Sequence, residues 1–375
     1  MRCILVGVKT KYNKKDIKYS LSELEGLVEA ADGIVLGKIY QNKEIPDPAT
    51  FIGKGKAQEL REVAEGINAD TIVFDTNLTP VQISNLKKIT NVDILDRTDL
   101  ILQIFYKRAK TKQAKLQVEL AILEHQMPRI YGEKGKELSR IGGGMKTKGA
   151  GEQIGEIKAR RIKDRINKIK KELKEIKKQK ETQRKLREDN PDILKVSLVG
   201  YTNAGKSSLL KLLTKRETFI SDQLFATLDT KTSYIYFPDI HKKVIITDTV
   251  GFVEDLPQEI LDAFMTTLEE INEADIILHV IDISDENWEK KKEAVEEILA
   301  KLKVDKPVIL VFNKIDKVVP SQDLIEDSFE LSEGKESIII SCEKKWNIDK
   351  LFEILKKYAL KKGEEDGKLH FLQDS

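Results

Sequence analysis

The stretch that decides the fold is Lys195-Val196-Ser197-Leu198-Val199-Gly200-Tyr201-Thr202-Asn203-Ala204-Gly205-Lys206-Ser207-Ser208-Leu209-Leu210. Five residues of strand character run into a phosphate-binding loop, and a helical pattern follows. Gly200 and Gly205 free the backbone to turn its N–H groups of Tyr201, Thr202, Asn203 and Ala204 toward phosphate oxygens. Lys206 sets a cation against the β and γ phosphates, and the Ser207 hydroxyl suits a magnesium ion. The helix that opens at Ser208 points its positive end at the same charge. Strand, loop and helix in this order predict an α/β domain with a mostly parallel sheet.

Working outward, three more motifs fall in the order a guanine nucleotide site requires. Val244-Ile245-Ile246-Thr247 is a buried strand that ends in Asp248-Thr249-Val250-Gly251. Asp248 is placed to hold the metal through water, and the Gly251 N–H to sense the γ-phosphate. The strand Pro307 to Phe312 ends in Asn313-Lys314-Ile315-Asp316. The Asp316 carboxylate matches the paired N–H donors of guanine and finds no match in adenine. Asn313 is expected to tie the phosphate loop to the base loop, with Lys314 over the ring. The strand Ile338-Ile339-Ile340 leads into Ser341-Cys342-Glu343, whose backbone faces the guanine carbonyl oxygen. The implied ligands are GTP or GDP with Mg2+, and the implied reaction is GTP hydrolysis.

Two positions are less sharply defined. A second magnesium ligand belongs between the loop and Asp248, where Thr218, Thr227, Thr230 and Thr232 are available; Thr227, in Phe225-Ala226-Thr227-Leu228-Asp229, is the choice. Phe252 stands directly after Gly251, where many signalling GTPases carry a glutamine that orients the attacking water. A phenyl ring cannot do so. Slow intrinsic hydrolysis is expected, with the catalytic group still to be assigned; a plain core role for Phe252 is the alternative.

At 375 residues the chain is long enough for two or more domains. Residues 1–98 alternate strand candidates (3–8, 34–36, 71–74 and 92–95) with helical patterns, the signature of a small parallel α/β subdomain. Residues 99–190 predict a long antiparallel helical hairpin. Its first helix runs from Ile101 through Leu123 and stops at Pro128, and its second runs from about Glu152 to Glu188. Between them lies a glycine-rich tip carrying Arg129, Lys134, Lys136, Arg140, Lys146 and Lys148, with Tyr131 as a possible stacking partner. The GTPase domain spans 191–360, and a short polar tail, 361–375, closes the chain.

Net charge is only +2, with 65 Lys+Arg against 63 Asp+Glu, so the total says little about partners. The local balance says more: Lys158 to Arg187 holds fifteen Lys or Arg and four acids. A salt-bridged surface helix would be nearer balance, and the excess suits a phosphate backbone. Two distant cysteines, Cys3 and Cys342, give no disulfide framework, and no apolar run approaches the roughly 18 residues of a membrane helix. A cytoplasmic monomer is expected.

The chain resembles the HflX family of translation-factor-related GTPases along nearly its whole length. In the GTPase domain the likeness rests on GYTNAGKSSLL, LFATLD, DTVGF, the run Asp255 to Ser284, and NKID. Outside it, the likeness rests on Thr50 to Leu60 and on Asp96 to Arg129. One stretch departs: where the family commonly has Gly-Pro-Gly-Glu-Thr-Gln, this chain reads Gly149-Ala150-Gly151-Glu152-Gln153-Ile154. The resemblance implies a protein that binds the large ribosomal subunit and its RNA and separates stalled or idle ribosomes. A non-ribosomal switch whose N-terminal half binds a protein partner is the rival reading. Gly53-Lys54-Gly55-Lys56 precedes a helix and is a weaker candidate for a second nucleotide.

Overall fold

The computed structural model describes residues 1–11, 16–140, 150–185, 190, 192–214, 224–225, 231–253, 260, 271–325 and 336–373, with backbone alone at 131–140, 150–155, 180–185 and 363–373. Two compact units emerge, Met1–Ile176 with Pro257–Ala263, and Lys177–Leu256 with Phe264–Ser375.

The first unit is built on four strands, β1 (Arg2–Lys9), β2 (Ile34–Asn42), β3 (Thr71–Phe74) and β4 (Asp93–Leu95), in the order β2-β1-β3-β4 and all parallel. β1 is paired on both sides and covered on both faces, which is why six consecutive residues from Cys3 to Val8 are buried instead of alternating. Helices α1 (Ile17–Ala30), α2 (Lys54–Gly66) and α3 (Pro80–Thr90) make the crossovers. Their starts are legible in sequence. Asp16 caps α1 by accepting from the Lys18 N–H at 2.9 Å. Thr79 and Gln82 form a capping box on α3, with Pro80 in the first turn. Leu21, Leu24, Leu27 and Val28 bury the α1 stripe as their spacing predicts.

The helical region departs from expectation at two points. The helix predicted from Ile101 through Leu123 is two helices, α4 (Arg97–Arg108) and α5 (Lys112–Arg140). The chain turns extended at Ala109, and the Thr111 hydroxyl accepts from the Ala114 N–H at 3.1 Å, capping the new helix. Pro128 does not stop α5, which continues to Arg140. A mid-helix proline costs about 3 kcal/mol, and the residues on either side offset it. Met127 packs into the seam where Leu116 and Leu120 meet Ile166 and Ile169 of α6 (Ala150–Lys185). Arg129 is gripped by Asp96 and Asp99, each at 2.9 Å. Arg129 therefore points inward and does not serve the basic tip. Residues 141–149, with Lys146 and Lys148, lie outside the described residues, as do the side chains of Tyr131, Lys134, Lys136 and Arg140.

His125 joins the same cluster. Its Nε2 is 3.6 Å from Asp96, 3.3 Å from Asp99 and 2.7 Å from Arg129 Nη2. The protonated ring donates to the carboxylates, and its close approach to the Arg129 cation opposes that charge. Burial lowers the pKa, but hydrogen bonds to Asp96 and Asp99 outweigh it and lift the ring to about 9. A raised folded-state pKa contributes stability that is complete below the unfolded value, about 6.5, and lost as pH rises through 9. Urea denaturation of wild type and His125→Gln should therefore differ by roughly 3 kcal/mol at pH 6 and converge by pH 10. A difference that stays constant with pH would show that His125 acts only by packing.

The second unit is a six-stranded sheet in the order β10-β9-β8-β5-β7-β6, formed by β5 (Ile193–Gly200), β6 (Lys231–Phe237), β7 (Lys242–Asp248), β8 (Ile276–Asp282), β9 (Val308–Asn313) and β10 (Ser337–Ile339). Only β6 runs antiparallel, against β7. The unit also carries helices α7 (Lys206–Thr214), α8 (Trp288–Lys301) and α9 (Ile348–Gln373), with short 3-10 turns at Ile315–Lys317 and Gln322–Leu324. α9 carries Leu351, Leu355 and Ala359 into the main core and stays helical to Gln373, through the segment read as a polar tail. The sheet order reverses at β5, between β8 and β7. That reversal opens a crevice at the carboxyl ends of the strands, where ligands bind in open α/β sheets.

Candidate nucleotide site

The loop from Gly200 to Ser207 leaves β5 at this reversal. Gly200 takes a φ of 152°, and a Cβ there would meet the Val280 carbonyl oxygen at 2.2 Å. Gly205 takes 99°, with a virtual Cβ 2.2 Å from Asn313 Nδ2. Both positions require glycine, because the clashing atoms are a neighbouring strand's backbone and a buried amide. Asn203, at φ 63°, supplies the left-handed residue at the loop's apex.

Lys206 is buried and donates to the carbonyls of Gly200 (2.9 Å) and Tyr201 (2.8 Å). Desolvation pulls its pKa from 10.5 to about 8, opposed by the charge of Asp248. The Ser207 hydroxyl donates to Asp248 Oδ2 at 2.6 Å, so the two oxygens assigned to the metal already meet. A hydroxyl and a carboxylate are hard oxygen donors, the set that suits Mg2+. Thr249 is anchored by its hydroxyl to the Leu198 carbonyl at 2.7 Å.

The strap after Asp248 is stapled to the phosphate loop by backbone. The Thr202 N–H donates to the Phe252 carbonyl at 2.7 Å, and the Phe252 N–H to the Gly200 carbonyl at 3.1 Å. A Cβ on Gly251 would sit 2.8 Å from Thr202 Cγ2 and 3.1 Å from Lys206 Nζ. Only glycine lets this strand pass so close to the phosphate cradle. Beside it the Thr202 hydroxyl is buried with no hydrogen-bond partner among the described residues. A phosphate oxygen is the kind of group that would satisfy it. The Phe252 ring is almost fully buried, which is its core role and leaves it no reach toward water at the cradle.

The base side is equally connected. Asn313 Nδ2 donates to the Ala204 carbonyl at 2.9 Å, while its Oδ1 accepts from the Cys342 N–H at 3.1 Å. One amide thus links the phosphate loop, β9 and the Ser341-Cys342-Glu343 turn. Lys314 donates to the Asn203 carbonyl and to Asp282, both at 2.7 Å. The Ser341 hydroxyl donates to Asp316 Oδ1 and accepts from the Lys344 N–H at 2.9 Å. Burial, with the nearby Asp316 charge, pushes the Cys342 thiol up to about 12, so it sits there as an inert neutral group. With the Cys342 N–H committed to Asn313, Glu343 supplies the next backbone donor of the turn.

Of the magnesium candidates, Thr218, Thr227 and Thr230 lie outside the described residues. Thr232 sits in β6, with its hydroxyl 3.2 Å from that of Thr247. Asp282 was not singled out from sequence as a site residue, although it orients Lys314 and accepts the Ser284 hydroxyl at 2.6 Å. An acid at the carboxyl end of the strand beside β5 was the available signal. The Gly53 loop forms the start of α2, with Gly53 at φ 89° and no side-chain cap.

Three family models match successive parts of the chain: GTP-binding GTPase N-terminal over residues 18–106, GTP-binding GTPase Middle Region over 108–187, and 50S ribosome-binding GTPase over 195–314. Proteins named GTPase HflX align along most of its length. That of Caldanaerobacter subterraneus subsp. tengcongensis is 40% identical over 97% of this chain and 82% of its own. That of Escherichia coli K12 is 38% identical, over 91% and 79%. That of the archaeon Thermococcus kodakarensis is 37% identical, over 93% and 80%. Among solved structures, SsGBP in complex with GDP superposes with a TM-score of 0.52 and 29% identity, over 96% of this chain and 99% of that one. Motif order, cradle geometry and identity along the whole length agree, and the chain belongs to the HflX family of GTPases, enzymes that hydrolyse GTP.

Proposed function

We propose that this GTPase acts on the large ribosomal subunit, using Mg2+ and GTP to separate stalled or idle ribosomes in the cytoplasm. The carrying observation is the charge of the segment from Lys158 to Arg187, which lies mostly in α6 and holds fifteen cations against four acids. Part of that charge is internal, since Arg165 pairs with Glu119 at 2.6 Å and Lys170 with Glu124 at 2.8 Å. The remaining excess is the kind of surface that binds an RNA backbone. The match to a model described as a 50S ribosome-binding GTPase supports the same partner. Among the described residues no helix is long and apolar enough to cross a membrane.

In this reading the phosphate loop from Tyr201 to Ser208 and the Lys206 ammonium hold the phosphates, through loop amides other than those of Thr202 and Ala204, which are given to the Phe252 and Tyr201 carbonyls. Ser207, Thr227 and Asp248 hold the metal, whose chemistry is to neutralise charge on the transferring phosphoryl group. The Gly251 N–H reports the γ-phosphate, and Asn313, Lys314, Asp316 and the turn Ser341-Cys342-Glu343 hold the base. Phe252 offers no water-orienting group, so a partner must complete the site. Purified large subunits should raise GTP turnover by about tenfold or more over the protein alone. Reversing the charges from Lys158 to Lys171, but leaving the paired Arg165 and Lys170 in place, should abolish that stimulation and leave GTP affinity intact. Turnover indifferent to subunits at low and high salt would sink the proposal.

A further inference from the structure

The outer face of the β6–β7 ribbon plays no part in the nucleotide site. β6 is an edge strand, and its alternation turns Ser233, Ile235 and Phe237 toward the core while Thr232, Tyr234 and Tyr236 face out. Tyr234 is 46% exposed and Tyr236 51%. Two half-exposed aromatic rings side by side on one face of an edge strand are not used by the core beneath them. The register sets Thr247, Ile245 and Lys243 opposite these three residues on the same face. Lys243 Nζ lies 4.2 Å from the Tyr234 ring centroid, and the Tyr236 hydroxyl is 3.3 Å from His241 Nδ1. The two strands carry Lys231, Lys242 and Lys243, and their one acid, Asp248, is turned into the nucleotide site.

We propose that this face is a stacking platform for single-stranded RNA, with bases on Tyr234 and Tyr236 and phosphates on Lys243. Residues two apart on a strand stand about 7 Å from each other, a spacing that suits successive bases splayed from an extended strand. Stacking accepts any base; Lys243 lies over one face of the Tyr234 ring, so a base would use the other face, and the ammonium supplies charge where the backbone would run. The face pairs aromatic rings with positive charge, the combination that suits a nucleic-acid strand. β7 ends in Asp248, so RNA held here grips a strand of the nucleotide site itself. The inference stands on this ribbon and does not depend on the ribosomal reading.

Anisotropy of a fluorescein-labelled oligouridine with the full chain tests it. Tyr234→Ala with Tyr236→Ala should weaken binding about tenfold or more, and the paired Tyr→Phe changes should restore it, because stacking needs the ring and not the hydroxyl. GTP affinity should be unchanged in both. In the unmodified protein, photocrosslinking to a bromouridine-substituted oligonucleotide should label the peptide from Thr232 to Lys242. Alanine variants that bind like wild type, phenylalanine variants as weak as alanine, or crosslinks confined to other peptides would each overturn the platform. Charge reversal on α6 is the separate control. A chain that keeps oligonucleotide binding but shows no response to large subunits fails the ribosomal reading alone.

Discussion

Asp316→Asn should lower GTP affinity by about a thousandfold and make XTP the better ligand. Two charge-assisted hydrogen bonds to the guanine edge are at stake, each worth about 1.5–3 kcal/mol. The structure also says which way the new amide will turn. The Ser341 hydroxyl accepts from the Lys344 N–H and directs its one proton at Asp316 Oδ1, an arrangement that an amide oxygen keeps intact. In the variant the amide oxygen takes that place, and the NH2 group takes the outward position where guanine presents a donor. Xanthine presents a carbonyl oxygen there and restores the match. Titration calorimetry with GTP and XTP measures the exchange. An undiminished preference for GTP would show that the base is read elsewhere.

Lys206→Ala should reduce GTP affinity by about a hundredfold or more, while the nucleotide-free protein keeps its fold. The ammonium sits in a fully buried position with two backbone carbonyls as its donors' targets. A phosphate offers it a far better partner, and losing contacts of about 1.5–3 kcal/mol each removes most of the binding energy near the β and γ phosphates. Truncation also costs the empty protein something, since it leaves the buried Asp248 carboxylate and the Gly200 and Tyr201 carbonyls without the ammonium. Thermal unfolding separates the two effects. Without nucleotide the variant should melt somewhat below the wild type, and GTP should no longer raise its melting temperature. A variant that GTP still stabilises would remove Lys206 from the phosphate site.

The legibility of the chain follows the range of the interactions involved. β3 and the α1 stripe appear where their residues predict, because burial periodicity and caps are local properties. The helical region misled for the same reason in reverse. Proline at 128 is a local stop signal, but the seam with α6 and the grip of Asp96 and Asp99 on Arg129 come from residues distant in sequence. Arg129 reads as a free cation at a basic tip until those carboxylates are seen beside it. Asp282 was missed because its role exists only once β8 lies next to β5.

By itself the sequence determined the strand–loop–helix order, the four nucleotide motifs and the glycines at 200, 205 and 251, since each depends on residue type and spacing along one segment. The tertiary structure alone decided that Ser207 meets Asp248, that Asn313 ties Ala204 to Cys342, and that Tyr234 and Tyr236 stay open on an edge strand. Those facts depend on which strands become neighbours. Strand neighbours are chosen by the burial of whole faces, a property that no single segment carries.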